Sequence, residues 1–287
     1  MKGFRLLVAG LTFPESFRRV DFEQHLDDVA YLLSCEDFFS QVDTVTLSWQ
    51  APHPQFPGIW DALAVDSTRW NASRQVSARR SYEAKLRLVG PVTRFRKHLQ
   101  TNVRKSTLAN DEKRTGPLYT WRTRSLVEKH IRAWSLMLEG DYDFVLVLED
   151  DARLKAHLAP LLGSEIANLL REDNSSNVFV DMCGHFPLLE IFPDLTSAAR
   201  PVINHWLEIP LISNTAAAYM FGRQFAIHLH EWILAFPSLR AAAGVDALIN
   251  FIYDESAEFA HATAWSRFPG LFENTSLTQS QSAIENT

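Results

Sequence analysis

The feature that most constrains the fold is a short apolar strand, with a helix before it and three acidic residues after it. The strand follows Asp143 and runs from Phe144 to Leu148 without a polar residue, which is typical of a strand buried on both faces. The helix is predicted to begin at Ser125, with Glu128 completing a capping box, and to end at Gly140. Strands covered on both faces belong to sheets with helices on either side.

The rest of the chain repeats this alternation. A strand at Phe4–Gly10, a helix from about Asp21 to Phe39 and a strand at Thr44–Ser48 are predicted first. Later segments are predicted as strands at 176–182 and 215–221 and a helix at 224–236. The predicted fold class is α/β, with a mainly parallel central sheet and helices on both faces. We expect one domain over residues 1–287, with a loose polar tail after about 278.

Charge is distributed unevenly along the chain. The formal net charge is -6, yet residues 74–132 contain 16 Lys or Arg against 4 Asp or Glu, a local balance of +12. This basic, helical segment could attract an anionic ligand or an anionic membrane surface, or it could be a solvated helical face. Few aromatic residues alternate with its charges, so we expect no nucleic-acid partner.

Composition predicts a globular protein on the cytoplasmic side of the membrane, with peripheral contact at its inner face as a further option. No apolar run approaches the roughly 20 residues of a membrane span, and Leu6–Leu11 is too short for a signal-peptide core. The two cysteines, Cys35 and Cys183, lack the paired spacing of a zinc site, and we expect both to be buried thiols.

The acidic triplet Glu149-Asp150-Asp151 carries the strongest chemical signal. Three like charges at the end of a buried strand repel one another unless a positive charge compensates them. Residues two apart in an extended chain point the same way, so Glu149 and Asp151 can face one ion. Hard oxygen ligands without a neighbouring histidine or cysteine suit Mn²⁺ or Mg²⁺. Alternatively, the triplet only opens a loop or caps the next helix.

At this point a family resemblance appears. The helix with His130 and Trp134, followed by the strand and Glu149-Asp150-Asp151-Ala152, resembles the glycosyltransferases of family 25, which build bacterial lipooligosaccharide. Two shorter stretches, Asn214–Met220 and Gly244–Asp246, resemble that family's small-residue strand ending in a tyrosine and its downstream aspartate. The resemblance covers about Ser125 to Asp254.

The resemblance implies a GT-A fold and transfer of a sugar from a nucleotide-sugar donor to a glycan or glycolipid acceptor, in cell-surface polysaccharide or lipooligosaccharide synthesis. The metal would stabilise the leaving diphosphate. A carboxylate would take the proton from the acceptor hydroxyl, with Asp246 as first candidate and Asp181 as second. Each aspartate could instead cap a helix or a turn.

Several other residues are candidates for the donor site. His130 and Trp134 share a helix face and could approach the donor, or they could belong to the core. Ala9, Gly10 and Thr12 are expected in a loop after the first strand, where small residues would let the donor approach the backbone. GT-A enzymes often recruit a late histidine as a metal ligand, which His261 could supply.

Two other classes of function compete with the glycosyltransferase. Carboxylates at a strand end also hold the cation of metal-dependent phosphotransferases and nucleotidyltransferases. Alternatively, the protein could bind sugars without catalysis, since its eight tryptophans offer stacking platforms. The released product distinguishes a glycosyltransferase, which releases a nucleoside diphosphate, from a nucleotidyltransferase, which releases pyrophosphate.

Overall fold

The computed structural model describes residues 3–12, 16, 18–48, 121–173, 176–183, 205–208, 216–235, 245, 248–249, 252–253, 259 and 261–275. The chain divides into two compact units, Met1–Ala51 with Ser125–Thr287, and Pro52–Arg124. The elements below belong to the first unit, except that one helix begins at Trp121. Most of the basic segment, Asp246 and the tail after 278 lie outside the described residues. The single domain stays a prediction.

Strands and helices alternate along the first part of the chain, from β1 (Phe4–Leu11) to β3 (Phe144–Glu149), as the sequence predicts. In chain order they are β1 (Phe4–Leu11), α1 (Arg19–Ser34), β2 (Phe39–Leu47), α2 (Trp121–Glu139), β3 (Phe144–Glu149), β4 (Ala152–Leu154), a 3₁₀ helix (Ala156–Leu161), α3 (Leu162–Asp173), β5 (Val178–Asp181), β6 (Trp206–Glu208), β7 (Ala218–Gly222), α4 (Arg223–Ala235), β8 (Thr263–Arg267) and β9 (Phe272–Asn274). All five residues from Phe144 to Leu148 are buried, which confirms the predicted central strand.

The main sheet has seven strands in the order β2-β1-β3-β7-β5-β8-β6. Strand β1 is parallel to β2 and β3, and β5 is parallel to β8. Strand β7 is antiparallel to β3 and β5, and β6 is antiparallel to β8. Only β7 and β6 therefore run against the other strands of this sheet. The sheet is mixed and mostly parallel, which confirms the α/β class.

Helices cover both faces of this sheet. On one face, Leu6 and Val8 of β1 belong to a core cluster with Phe22 of α1 and Ile166 of α3. On the other face, the alternate residues of β1 belong to a second cluster with buried residues of α2 and α4. The period of two along β1 thus distributes its side chains between two apolar layers. Helices on both faces are confirmed.

Two predicted boundaries are wrong at the start of the chain. Helix α1 ends at Ser34 rather than near Phe39, and β2 begins at Phe39 rather than Thr44. Phe38 and Phe39 are buried, so the apolar pattern continues through the intervening turn. That turn contains neither glycine nor proline, the residues that usually mark a helix end in sequence.

Four further predictions concern single residues. Helix α2 begins at Trp121, so Ser125 lies inside the helix. The prediction that Ser125 is its N-cap is wrong. Gly140 follows the last residue of α2, as predicted. Cys35 is exposed, which contradicts the predicted buried thiol, because it lies just beyond the end of α1; Cys183 is buried. Within the described parts of the chain, no helix combines the length and apolar content that a membrane crossing needs.

Candidate functional site

The acidic motif, Glu149-Asp150-Asp151, lies at the carboxyl edge of the sheet. Leu11, the last residue of β1, pairs with Glu149, the last residue of β3. Strand β5 runs in the same direction and ends at Asp181, which pairs with Tyr219 of β7. Open α/β sheets bind their ligands outside the carboxyl ends of their strands. The sheet therefore brings two predicted acidic positions to the edge where a ligand is expected.

Glu149 contacts a buried histidine of helix α2. Its Oε1 lies 3.1 Å from Nε2 of His130, and its side chain is 19% exposed. Burial, followed by the charges of Asp151 and Asp150, raises the pKa of Glu149 to about 8, while the charge of Lys129 acts in the opposite direction. Additional positive charge would thus stabilise the ionised form of Glu149 and lower its pKa.

Asp150 connects the acidic motif to the chain that follows β1. Its Oδ2 accepts hydrogen bonds from Oγ1 of Thr12 at 2.9 Å and Oγ of Ser16 at 2.7 Å. Nζ of Lys129 donates to the carbonyl oxygen of Thr12, and both residues are fully buried. Thr12, predicted to contact the donor, therefore lies directly beside the acidic motif. Asp150 has a structural role there.

Asp151 differs from its two neighbours. Its Oδ1 is buried and has no hydrogen-bond partner among the described residues. Its backbone carbonyl accepts from N and Oγ1 of Thr275, at 2.9 and 3.1 Å. A buried carboxylate oxygen without a partner is costly unless a cation compensates it. Asp151 therefore presents an acceptor that a cation would satisfy.

The motif fits a hydrated Mg²⁺- or Mn²⁺-type ion better than a site made of protein ligands alone. Among the described residues, no three His, Cys, Asp or Glu side chains are grouped closely enough to hold a metal ion. Mg²⁺ commonly takes one or two carboxylates and completes its shell with water and substrate phosphates. Asp151 and Glu149 are the residues that would hold such an ion, as the sequence predicts.

Positive side chains surround the motif. Burial lowers the pKa of Arg153, the guanidinium of Arg18 lowers it further, and Asp150 raises it. The backbone N–H of Arg18 donates to Oγ of Ser16 at 3.3 Å, next to the Ser16–Asp150 hydrogen bond. Together with Lys129, these two arginines place positive charge beside the carboxylates. An anionic ligand would meet both signs of charge at this edge.

Asp181, the second predicted base, lies close to the acidic motif. Its Oδ1 accepts a hydrogen bond of 2.9 Å from the backbone N–H of Cys183. Burial raises the pKa of the Cys183 thiol well above its ordinary value, and the charges of Asp181, Glu149 and Asp151 add to that rise. Three carboxylates thus act on the same thiol, which places them around one region. Asp246, the first predicted base, lies outside the described residues.

The structure does not bring His261 to the carboxylates. His261 is exposed and lies just before β8, whose first residue, Thr263, pairs with Val178 at the start of β5. Strand β5 ends at Asp181, so the start of β8 lies at the opposite edge of the sheet. A histidine there cannot share an ion with Glu149.

Two of the small residues predicted to meet the donor serve packing instead. Strand β1 continues through Leu11, so Ala9 and Gly10 lie within the strand rather than in a loop. Ala9 is fully buried in a core cluster. A Cβ added to Gly10 would lie 2.9 Å from Cδ2 of Leu26 and from Cε1 of Phe22. The glycine therefore allows helix α1 to approach the sheet.

His130 and Trp134 lie behind Glu149 rather than at an open surface. Both are fully buried, and both hydrogen bond to the hydroxyl of Tyr219: Nδ1 of His130 at 2.8 Å and Nε1 of Trp134 at 2.9 Å. Sequence reasoning assigned no role to Tyr219 or to Lys129. The tyrosine lay in a stretch that the family resemblance singled out, whereas the buried lysine gave no signal in the hydrophobic periodicity of its helix.

Comparison of the sequence with models of protein families and with curated proteins gives no match. The resemblance to glycosyltransferase family 25 therefore stays a prediction from the motifs. A function for this protein therefore has to be inferred from the contacts and charges of the residues around the acidic motif.

Proposed function

We propose that this protein is a metal-dependent glycosyltransferase with a GT-A-like fold, which moves a sugar from a nucleotide-sugar donor to a glycan or glycolipid acceptor. The observation that carries the proposal is the acidic motif at the carboxyl ends of β1 and β3, where a buried oxygen of Asp151 has no hydrogen-bond partner among the residues that the structure describes. A nucleotide sugar suits this edge, because its diphosphate would bind a divalent cation and provide it with oxygen ligands in addition to the carboxylates.

The charges at the edge suit the donor's leaving group. Transfer breaks the bond between the sugar's anomeric carbon and the diphosphate oxygen, so negative charge develops on the diphosphate. A bound Mg²⁺ or Mn²⁺ would stabilise that charge. The charge of Lys129 acts on Glu149, and Arg153 interacts with Arg18 and Asp150, so these three side chains add positive charge near the acidic motif.

Asp181 is the described residue best placed to act on the acceptor. It ends β5 at the same edge, and its carboxylate keeps one oxygen, Oδ1, on the backbone N–H of Cys183. That hydrogen bond orients the carboxylate. In the proposed reaction Asp181 takes the proton of the acceptor hydroxyl while the hydroxyl oxygen bonds to the anomeric carbon.

The first test is a thermal-shift screen with UDP-, GDP-, CMP- and dTDP-sugars, each with and without Mn²⁺. A ligand that binds only the folded state at 100 times its Kd stabilises it by about 2.7 kcal/mol. We expect one donor class to raise the Tm only when Mn²⁺ is present. No shift with any donor, in protein shown to be folded, contradicts the proposal.

Asp151→Asn provides the matching variant. The substitution preserves shape and removes the charge of a carboxylate whose Oδ1 has no partner in the described part of the chain. We expect it to abolish the Mn²⁺-dependent shift and Mn²⁺-dependent donor hydrolysis while the unliganded Tm stays close to wild type. Asp27→Asn, which removes an exposed carboxylate on α1, is the control. Release of pyrophosphate instead of a nucleoside diphosphate would favour a nucleotidyltransferase.

A further inference from the structure

A row of three buried side chains lies behind Glu149. The hydroxyl oxygen of Tyr219 is 2.9 Å from Nε1 of Trp134 and 2.8 Å from Nδ1 of His130, and Nε2 of His130 is 3.1 Å from Oε1 of Glu149. Trp134 and His130 are fully buried, and Tyr219 is 1% exposed. The hydrogen bonds therefore connect a tryptophan in the core to a carboxylate at the candidate site.

The chemistry of the groups gives this row a direction. An indole N–H can only donate, so Trp134 donates to the oxygen of Tyr219. The tyrosine keeps its own proton for donation, and Nδ1 of His130 lies within reach of it. At the other end, an ionised carboxylate can only accept, so Nε2 of His130 has to carry the proton that faces Glu149. When Glu149 is ionised, both ends of the row are satisfied by the same neutral tautomer of His130, with its proton on Nε2.

Packing holds the row in place. The rings of His130 and Tyr219 are stacked with centroids 5.7 Å apart, and Phe179 stacks on Tyr219 at the same separation. Tyr219 pairs with Val147 on β3, and Val147 points to the same sheet face as Glu149 because the two are two residues apart. Ring stacking and strand pairing therefore stabilise the positions of both rings that the hydrogen bonds use.

We propose that Tyr219 and Trp134 are positioning residues, which fix the tautomer and ring orientation of His130 so that its Nε2–H holds Glu149 in place for a cation. What Glu149 does with the cation rests on the proposed function; the tautomer of His130 does not. Hydrogen bonds that orient a ligand from behind typically contribute 10- to 100-fold to metal affinity.

The direct test is the tautomer of His130, measured by long-range ¹H–¹⁵N NMR at pH 9, where Glu149 is ionised. The protein has ten histidines, and the signals lost in His130→Gln identify this one. We expect a protonated Nε2 and an unprotonated Nδ1 in the wild type, and an increased Nδ1–H population in Tyr219→Phe. A wild-type ring protonated on Nδ1, or equal tautomer populations in both proteins, overturns the proposal.

A second readout uses Mn²⁺ alone as the probe. We expect Tyr219→Phe and Trp134→Phe each to weaken Mn²⁺ affinity, by about 10- to 100-fold for the tyrosine. Tyr142→Phe is the control, because it removes a hydroxyl that donates to Asp43 at 2.7 Å. A shifted tautomer with unchanged Mn²⁺ affinity overturns the positioning role. Wild-type protein that binds no Mn²⁺ counts against the proposed function, and the NMR result still decides the tautomer.

Discussion

Glu149→Gln should remove a pH dependence of stability that the buried carboxyl group imposes. The folded protein raises the pKa of Glu149 from 4.5 to about 8, chiefly by burial and then through the charges of Asp151 and Asp150. Between these two values the folded state keeps a proton that the unfolded state has released. The contribution of Glu149 to the free energy of unfolding is therefore fully present below pH 4.5, and this contribution is lost as the pH rises to about 8. Glutamine stays neutral, and its carbonyl can still accept from His130.

The size of the effect follows from the same values. Each pH unit in that window lowers the free energy of unfolding by about 1.4 kcal/mol, so the whole window is worth roughly 5 kcal/mol. Glu149→Gln and wild type should differ little at pH 4.5, and the variant should become the more stable protein by up to about that amount at pH 9.

The assay is urea unfolding at several pH values from 4.5 to 9 in the presence of a chelator, followed by tryptophan fluorescence. Taking the difference between variant and wild type cancels the other titrating groups that the two proteins share. Glu273→Gln, which neutralises an exposed glutamate on β9, should show no such trend. A difference between Glu149→Gln and wild type that is constant across this pH range would refute the reasoning.

Two further predictions concern stability. Gly10→Ala should lower the free energy of unfolding by about 1–3 kcal/mol, because its Cβ would lie 2.9 Å from Leu26 and Phe22; a urea midpoint equal to wild type would contradict this. Glu165→Gln should cost about 3–5 kcal/mol, because Arg267, whose side chain is 2% exposed, donates to both oxygens of Glu165 and would keep a buried charge without its partner. Equilibrium unfolding checks both, and a smaller loss than in Gly10→Ala would argue against the second.

The sequence predicted those parts of the fold that depend on local pattern. The strand from Phe144 to Leu148 was found because five consecutive apolar residues need cover on both faces. The turn before Phe39 was missed, since its apolar residues continue the helix pattern and no glycine or proline interrupts them. Gly10 was assigned to a ligand because a small residue has the same appearance in sequence whether a substrate or a helix approaches it.

The sequence predicts those parts of the candidate site whose residues are close together in the chain. Glu149 and Asp151 lie two residues apart, so they stay close together even though β3 ends at Glu149 and the chain turns at Asp150 and Asp151. The contact between His130 and Tyr219 joins residues that are 89 positions apart, and it depends on β7 lying beside β3. No local pattern encodes that adjacency. Lys129 gives no local signal for a similar reason, since Thr12, which accepts its hydrogen bond just after the end of β1, is 117 positions away in sequence.

The three neighbouring carboxylates of the acidic motif therefore have different environments. These environments distinguish Asp150, which has a structural role, from Glu149 and Asp151, which would hold a cation. Asp150 accepts from two hydroxyl groups, Glu149 contacts an imidazole, and Asp151 keeps a buried oxygen without a partner in the described chain. Lys129 offsets only part of the charge, because the pKa of Glu149 is still raised to about 8. A divalent cation at Glu149 and Asp151 would favour the ionised form of Glu149, so cation binding and proton release at Glu149 are coupled. Binding of a cation would then recover part of the free energy that burial of this carboxylate costs.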